Sequence, residues 1–183
     1  MNFSEGVAMN RRQLLIICGI SLIALLGGIL TSQWISKTGL ASEPSVKAFF
    51  ANAWQTPDGK PADTAQWQGK ILVVNFWASW CPPCVEEMPA LDLLQKEFLQ
   101  QNILFVGIGI DSPSNIREFL KSTPVSYPIL IGGLEGSNLS KQMGNTQGAL
   151  PYTVIIDAKG KSTYTKLGKI SEDEIRKAIK SAL

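Results

Sequence analysis

The sequence predicts an α/β domain preceded by one transmembrane helix, and three observations lead to this prediction. A run rich in valine and aromatic residues, Ile71–Ala78, is followed by a Cys-x-x-Cys segment and then by a helical pattern of apolar residues. A second apolar run, Ile103–Ile110, also precedes a helical pattern. Near the N-terminus, Leu14–Leu30 is almost continuously apolar, which is typical of a helix that crosses a membrane.

Composition and charge argue against some classes of function but do not identify the function of the chain. The chain has 183 residues and a formal net charge of +2, which suits one domain plus a tail. Its lysines are scattered and form no basic stripe, so nucleic-acid binding has little support. The sequence contains no phosphate-binding loop, nucleotide fingerprint or internal repeat.

The N-terminal segment is predicted to anchor the protein in a membrane. Residues 13–36 carry no charge, and about 24 residues at ~1.5 Å each cross a ~30 Å hydrocarbon core. Arg11 and Arg12 precede this segment directly, so the positive-inside rule leaves the N-terminus in the cytoplasm and the domain outside. The predicted organisation is a cytoplasmic segment 1–12, a transmembrane anchor 13–36, a tether 37–45 and a folded domain 46–183.

Other interpretations of this region are weaker. Gly39–Ala41 suits cleavage of a secretory signal, but it lies well beyond the apolar segment. Arg11–Leu15 resembles a twin-arginine signal only faintly. Translation starting at Met9 would give a short basic segment before the anchor. Cys18, preceded by two isoleucines, is expected to be an apolar filler rather than a lipidation site.

The segment Trp80-Cys81-Pro82-Pro83-Cys84 predicts a redox site. Two cysteines three residues apart in the first turn of a helix lie about 5–6 Å apart, a distance that a disulfide can bridge. If Cys81 is the N-cap, Pro82 and Pro83 occupy the first two helical positions. Because proline has no N–H, Cys84 then supplies the first backbone donor for a Cys81 thiolate. The helix dipole lowers the pKa of such a thiol from about 8.5. We therefore predict Cys81 as nucleophile and Cys84 as resolving thiol.

A zinc site and a structural disulfide are the alternatives for this pair. The chain has no histidine and only Cys18 besides, so a four-ligand zinc site is excluded and no metal is expected. A disulfide that closes so small a loop constrains the unfolded chain little, so a purely structural role explains the spacing poorly.

The segment Asn75–Cys84, continuing through Glu86–Pro89, resembles the thioredoxin-like TlpA/ResA/CcmG (DsbE) family of membrane-anchored thiol-disulfide oxidoreductases. The resemblance runs roughly from Ser45 to the C-terminus. It implies a thioredoxin-like fold with an N-terminal hairpin extension and a central helix-strand insertion. It also implies no cofactor beyond the redox-active disulfide, and a bacterial inner-membrane location with the redox domain on the periplasmic or extracytoplasmic side. The implied partners are extracytoplasmic protein thiols or disulfides and a membrane electron-donor protein.

The elements before and after the motif are predicted from local patterns. Phe49–Trp54 is expected to be a strand and Thr56–Lys60 a turn, and together they would make the hairpin extension. The helix after Cys84 carries an apolar stripe, and Pro89 lies inside it. Asp111–Leu130 resembles the helix-strand insertion, with an N-cap at Ser112. The remaining expectations are a short helix 137–143, a hairpin turn 158–161 and a capping box 171–174 that opens the last helix.

The segment Gly148–Asp157 places a proline directly before a β-branched strand. By resemblance, this proline matches the cis-proline loop that lies against the Cys-x-x-Cys, where Leu150 can pair with an extended substrate. Without the family, Pro151 would be a strand-edge proline with no function. The substrate-binding candidates are Trp80, Pro82, Leu150 and Pro151. Trp77 is expected either in the core or in the apolar rim around the cysteines.

The base that deprotonates Cys84 is not identified by resemblance. Thioredoxin has a buried aspartate at the position of Asn75, and some ResA-like proteins have a glutamate at the position of Pro82. Glu86 and Glu87 are close in sequence, but carboxylates in the first turn of a helix are typically solvated and stabilise its dipole.

The leading functional hypothesis is a thiol-disulfide oxidoreductase, and the resemblance implies a disulfide reductase that acts on extracytoplasmic protein cysteines, for example those of apocytochromes c. A thiol oxidase of the same fold, a peroxiredoxin-like peroxidase and a non-enzymatic redox sensor are the alternatives. A peroxidatic cysteine follows a threonine or serine in a Pro-x-x-x-Thr/Ser-x-x-Cys setting, and Ser79 is too close to Cys81 for that pattern.

Overall fold

The structure is a computed structural model that describes residues 43–183, in which five α-helices and one 3-10 helix surround a five-stranded sheet. The helices are α1 (Glu43–Ala51), the 3-10 helix (Ala65–Trp67), α2 (Pro82–Phe98), α3 (Pro113–Ser122), α4 (Gly133–Gln142) and α5 (Glu172–Ala182). The strands are β1 (Ile71–Trp77), β2 (Ile103–Gly109), β3 (Ile129–Ile131), β4 (Tyr152–Ile156) and β5 (Ser162–Leu167).

The predicted segments 1–12 and 13–36 lie outside the described residues, as does most of the tether. Within residues 43–183, no helix has the length and apolar character needed to cross a membrane. Residues 43–45, assigned to the tether from the sequence, form the first turn of α1.

The sheet has the strand order β3-β2-β1-β4-β5. β1 is parallel to β2 and antiparallel to β4, and β3 is parallel to β2. All seven residues of β1 are buried, because helices cover both faces of the sheet. The topology brings the C-terminal end of β1 and the start of β4 to the same end of the strands, since Phe76 pairs with Tyr152.

Two apolar layers flank the sheet. One face packs against α2, α3 and α5, through side chains such as Met88, Ile116 and Ile175. The other packs against α1 and α4, with Phe49 and Leu139 among the buried side chains. The long helix α2, which carries the cysteines, is therefore fixed along its length to the central strands.

The predicted N-terminal hairpin is wrong in its first half. Phe49 belongs to α1 and is fully buried, because its ring packs on those of Trp54 and Trp67 at centroid distances of 6.1 and 6.3 Å. Trp54 Nε1 donates to the carbonyl of Phe49 at 2.7 Å. Tertiary packing of these rings outweighs the strand preference of aromatic residues. The turn 56–60 is present, but only the single bridge Gln55–Pro61 flanks it.

The helix-strand insertion is confirmed as α3 and β3. Ser112 caps α3, since its Oγ accepts from the amide of Asn115 at 3.2 Å. β3 forms the edge of the sheet beside β2, and it is covered in turn by Gln55, whose carbonyl accepts from Ile131 N at 2.8 Å. The short helix expected at 137–143 is part of α4, which begins earlier, at Gly133.

Candidate active site

The two cysteines form a disulfide at the N-terminus of α2. Their Cα atoms are 5.3 Å apart and the S–S distance is 2.08 Å. Cys81 is the N-cap, in an extended conformation, and Pro82 and Pro83 occupy the first two helical positions. Cys84 is completely buried, whereas Cys81 keeps 4% of its surface exposed. A substrate sulfur that approaches from solvent therefore meets Cys81 first.

The backbone donor expected for a Cys81 thiolate is engaged in this disulfide form. The amide of Cys84 donates to the carbonyl of Cys81 at 3.0 Å, and the amide of Val85 donates to the same oxygen at 3.1 Å. The Cys81 side chain makes no capping hydrogen bond. What the helix offers the sulfur is therefore the positive end of its dipole rather than a direct hydrogen bond.

The four substrate-binding candidates differ in exposure. Trp80 is 66% exposed and Pro82 is exposed, whereas Leu150 is half-buried and Pro151 is buried. The Leu150–Pro151 peptide is cis, as expected, and it immediately precedes β4 beside the end of β1. Trp77 is fully buried against Phe119, with the ring centroids 5.2 Å apart, so it belongs to the core rather than to the rim.

The structure places a buried carboxylate, Glu87, one helical turn after Cys84, so the expectation that Glu87 is solvated is wrong. Glu87 is 1% exposed; its Oε1 accepts from Asn75 Nδ2 at 2.7 Å and its Oε2 accepts from the amide of Ile170 at 3.0 Å. Burial raises the pKa of Glu87 above the ordinary 4.5, although these hydrogen bonds and the charge of Lys169 act in the opposite direction. Glu87 is thus suited to take up and release a proton.

Glu86 behaves as the sequence predicted. It is exposed and pairs with Lys169 at 2.9 Å. The difference between the neighbours follows from the helical period: Glu87 falls between Cys84 and Leu91, on the face that packs on the sheet, and Glu86 does not. That period, together with a polar Asn75 in an otherwise apolar strand, was the signal in the sequence that could have found Glu87.

The turn between β1 and the cysteines is tied to the end of β2. Ser79 Oγ donates to Asp111 Oδ2 at 2.5 Å, and the amide of Ser79 reaches the same oxygen at 3.3 Å. Asp111 Oδ1 accepts from Ser112 N and from Asn115 Nδ2, both at 2.7 Å. Partial burial alone would raise the pKa of Asp111, but the hydrogen bonds from Ser79 and Asn115 outweigh it and hold the pKa below 3.8. Asp111 therefore fixes the active-site turn as an ionised acceptor.

The two sulfurs can alternate between a dithiol and the disulfide seen here. Among residues 43–183, no three Cys, Asp or Glu side chains are grouped so that they could hold a metal ion. The chemistry available at the site is that of two sulfurs, a helix dipole and a proton-exchanging carboxylate.

Comparison with known proteins agrees with this chemistry. The family model described as Redoxin matches residues 44–182. The thiol-disulfide oxidoreductase ResA of Geobacillus thermodenitrificans is 25% identical to this chain over 94% of the chain and 98% of the relative. The thioredoxin-like protein YneN of Bacillus subtilis is 30% identical, over 68% of this chain and 72% of YneN.

Solved structures show the same fold. The crystal structure of a thioredoxin-related protein from Neisseria meningitidis serogroup B superimposes with a TM-score of 0.63 and 38% identity, and the match covers 70% of this chain and 97% of that one. The described part of the chain thus has a thioredoxin-like fold. Because the family model covers residues 44–182 and so includes the whole described sheet, the chain belongs to the Redoxin family.

Proposed function

We propose that this thiol-disulfide oxidoreductase works as a reductase of disulfides in exported proteins, with Cys81 as nucleophile, Cys84 as resolving thiol and Glu87 as the proton acceptor of Cys84. The observation that carries the proposal is the arrangement of a barely exposed Cys81, a fully buried Cys84 and a buried carboxylate one turn further along the same helix. Residues three apart on a helix have Cβ atoms about 5–6 Å apart, within reach of proton transfer through one water molecule.

The reaction proceeds in two exchanges. The Cys81 thiolate attacks one sulfur of the substrate disulfide, and the other substrate sulfur leaves as a thiolate. Cys84 then gives its proton to the Glu87 carboxylate and attacks the Cys81 sulfur. This step forms the Cys81–Cys84 disulfide and releases the second substrate thiolate. Two electrons pass from the protein to the substrate, and a membrane electron-donor protein would restore the dithiol.

The substrate would dock on the exposed side of the disulfide. Trp80 and Pro82 offer an exposed apolar surface, and Leu150 lies just before the start of β4, which pairs with the end of β1. The carbonyls on either side of Leu150 are already engaged: that of Ala149 accepts from Asn145 and that of Pro151 from Gly168. Leu150 is therefore the residue of this loop that we assign to pairing with an extended substrate segment.

The location follows from the predicted anchor rather than from the described residues. With residues 13–36 in the bacterial inner membrane and residues 1–12 in the cytoplasm, the redox domain would face the extracytoplasmic side. Apocytochromes c, whose cysteines must be reduced before haem attachment, would be one substrate class there. The similarity to proteins named ResA supports this setting.

The reduction potential of the Cys81–Cys84 couple tests the direction of electron flow. We expect equilibration with dithiothreitol or glutathione buffers to give a value near the roughly −270 mV of thioredoxin. A value near the roughly −120 mV of DsbA would show that the protein introduces disulfides instead.

A trapping experiment tests the roles of the cysteines. Cys84→Ser should accumulate mixed disulfides with substrate proteins, visible on non-reducing gels, whereas Cys81→Ser should accumulate none. A redox sensor would form none with either variant. Rapid consumption of hydrogen peroxide by the reduced wild-type protein would support the peroxidase alternative instead.

A further inference from the structure

Asn75 contacts the buried carboxylate from the central strand of the sheet. Its side chain is 1% exposed, and its Nδ2 donates to Glu87 Oε1 at 2.7 Å and to Thr153 Oγ1 at 3.1 Å. Its Oδ1 is buried and has no hydrogen-bond partner. One end of the carboxamide is thus doubly engaged while the acceptor end is unpaired, which is costly in a protein core.

This arrangement suits the ionised form of Glu87 better than the acid. A carboxylate only accepts hydrogen bonds, but a carboxylic acid also donates one. Because the Ile170 amide donates to Oε2, a proton on Glu87 belongs on Oε1, which faces Asn75. The acid O–H and the Asn75 N–H would then be two donors facing each other. A half-turn of the carboxamide removes this conflict, since Oδ1 would then accept from Glu87 and from the Thr153 hydroxyl.

We propose that Asn75 is a positioning residue whose carboxamide turns over each time Glu87 gains or loses its proton. It donates to the carboxylate and accepts from the acid, so both states of Glu87 keep a hydrogen bond during the exchange with Cys84. This inference rests on the proposed role of Glu87. An aspartate at position 75 would compete with Glu87 for the proton, because two carboxylates in contact cannot both ionise freely.

The other groups around Glu87 do not both donate a hydrogen bond to its carboxylate and accept one from its acid form. Lys169 is 53% exposed and pairs with Glu86. Tyr127 is buried and burial raises the pKa of its phenol, so it stays protonated, but its hydroxyl makes no hydrogen bond to Glu87. The Ile170 amide only donates, and Cys84 is the group with which Glu87 exchanges the proton. Within residues 43–183, Asn75 is the hydrogen-bond partner of Glu87 that can both donate and accept.

Nuclear magnetic resonance of the oxidised full chain tests the turnover directly. We expect nuclear Overhauser contacts between the Asn75 amide protons and the Thr153 methyl group above the titration point of Glu87, and their loss below it. Asn145 supplies an internal control, since its buried carboxamide also has an unpartnered Oδ1 but its Nδ2 donates only to Ser140 and Ala149. Its contacts should not change with pH.

Glu87→Gln mimics the protonated acid and is the matched variant. The Ile170 amide requires an oxygen opposite it, so the amide nitrogen of the substituted side chain must face Asn75 as a donor. The Asn75–Thr153 contacts should therefore be absent at every pH in this variant. Contacts that persist at low pH and in Glu87→Gln would show a fixed donor and overturn the proposal. They would leave the proposed function intact, because this test measures the orientation of the Asn75 carboxamide in the oxidised protein and not disulfide exchange.

Kinetics give a second measurement. Asn75→Leu, similar in size but without polar atoms, should slow disulfide reduction about tenfold and move the pH profile of the rate, because positioned proton transfer contributes roughly 10²–10⁴-fold. The double variant with Glu87→Gln should be no slower than Glu87→Gln alone, since the two residues act as a unit. A merely structural Asn75 would lower stability, leave the pH profile unchanged, and slow the double variant further.

Discussion

At the scale of single residues, Glu87 is a carboxylate in an unusual environment, because it is 1% exposed. An ionised carboxylate in the core is costly, and the two hydrogen bonds to Glu87 reduce this cost without removing it. The protein therefore carries a group that is easier to protonate when folded than when unfolded. A proton acceptor for a buried thiol needs this property, since its pKa must rise towards that of the thiol.

This property predicts a pH dependence of stability. Because the folded pKa of Glu87 is raised, its stabilising contribution is complete below pH 4.5 and is lost as the pH rises through the folded pKa. The unfolding free energy of wild type should therefore fall relative to that of Glu87→Gln as the pH rises above 4.5 and through the raised folded pKa. Urea denaturation of both proteins across this range measures the difference, and the other titrating groups cancel. A constant difference would contradict the raised pKa.

Asp111 carries the opposite shift and a different prediction. Its carboxylate accepts from Ser79 and Asn115, and hydrogen bonds to a charged group contribute about 1.5–3 kcal/mol. Since Asp111 is partly exposed, we expect Asp111→Ala to cost about 1–2 kcal/mol at pH 7. The loss should shrink as the pH falls below 3.8, because a lowered pKa stabilises only the ionised form. Asn115→Ala, which leaves the contact with Ser79, should cost less.

The sequence predicted the site residues whose roles depend on their neighbours in the chain. It missed Glu87, whose contacts come from distant parts of the chain. The spacing of Cys81 and Cys84, their position after a strand and the prolines at the helix start all follow from neighbouring residues. The hydrogen bond from the amide of Ile170 to Glu87, in contrast, joins residues 83 positions apart in sequence. No local pattern in the chain reports that contact.

At the scale of secondary-structure elements, α1 is the part of the fold that the sequence assigned wrongly. Phe49, Phe50 and Trp54 have the composition of a strand, but Val46 and Phe49 lie one helical turn apart and bury the same face. That face covers the side of the sheet opposite the cysteines. The element is therefore part of the core rather than an appended extension.

Truncating the buried aromatic side chain of α1 tests this role. Phe49→Ala should lower the unfolding free energy by about 3–5 kcal/mol, the usual cost of removing a fully buried phenylalanine. Phe50→Ala is the matched control and should cost clearly less, because Phe50 is only partly buried. Urea denaturation measures both. Equal and small losses would show that α1 contributes little to the folded domain.

At the scale of the whole molecule, the fold leaves little of the disulfide open to solvent, since Cys84 is fully buried and Cys81 is 4% exposed. The disulfide lies near the end of the sheet where β1 ends and β4 begins, and the helix that carries it, α2, packs along one face of the sheet. In the proposed function, Glu87 would exchange protons from the interior, and substrates would approach from the side that carries the exposed Trp80.

The direction of electron flow is linked to the stability of the whole molecule. Folding, unfolding, oxidation and reduction form a thermodynamic cycle. If the reduction potential of the cysteine pair is lower in the folded protein than in the unfolded one, the oxidised protein is more stable to unfolding than the reduced protein. Each 30 mV of this difference corresponds to about 1.4 kcal/mol. A reductase should therefore unfold at higher urea concentration when oxidised than when treated with dithiothreitol. The Cys81→Ser/Cys84→Ser double variant controls for the reagent and should unfold at one concentration under both conditions. A reduced form more stable than the oxidised one would identify an oxidant, since a disulfide that destabilises its own protein is readily passed to others.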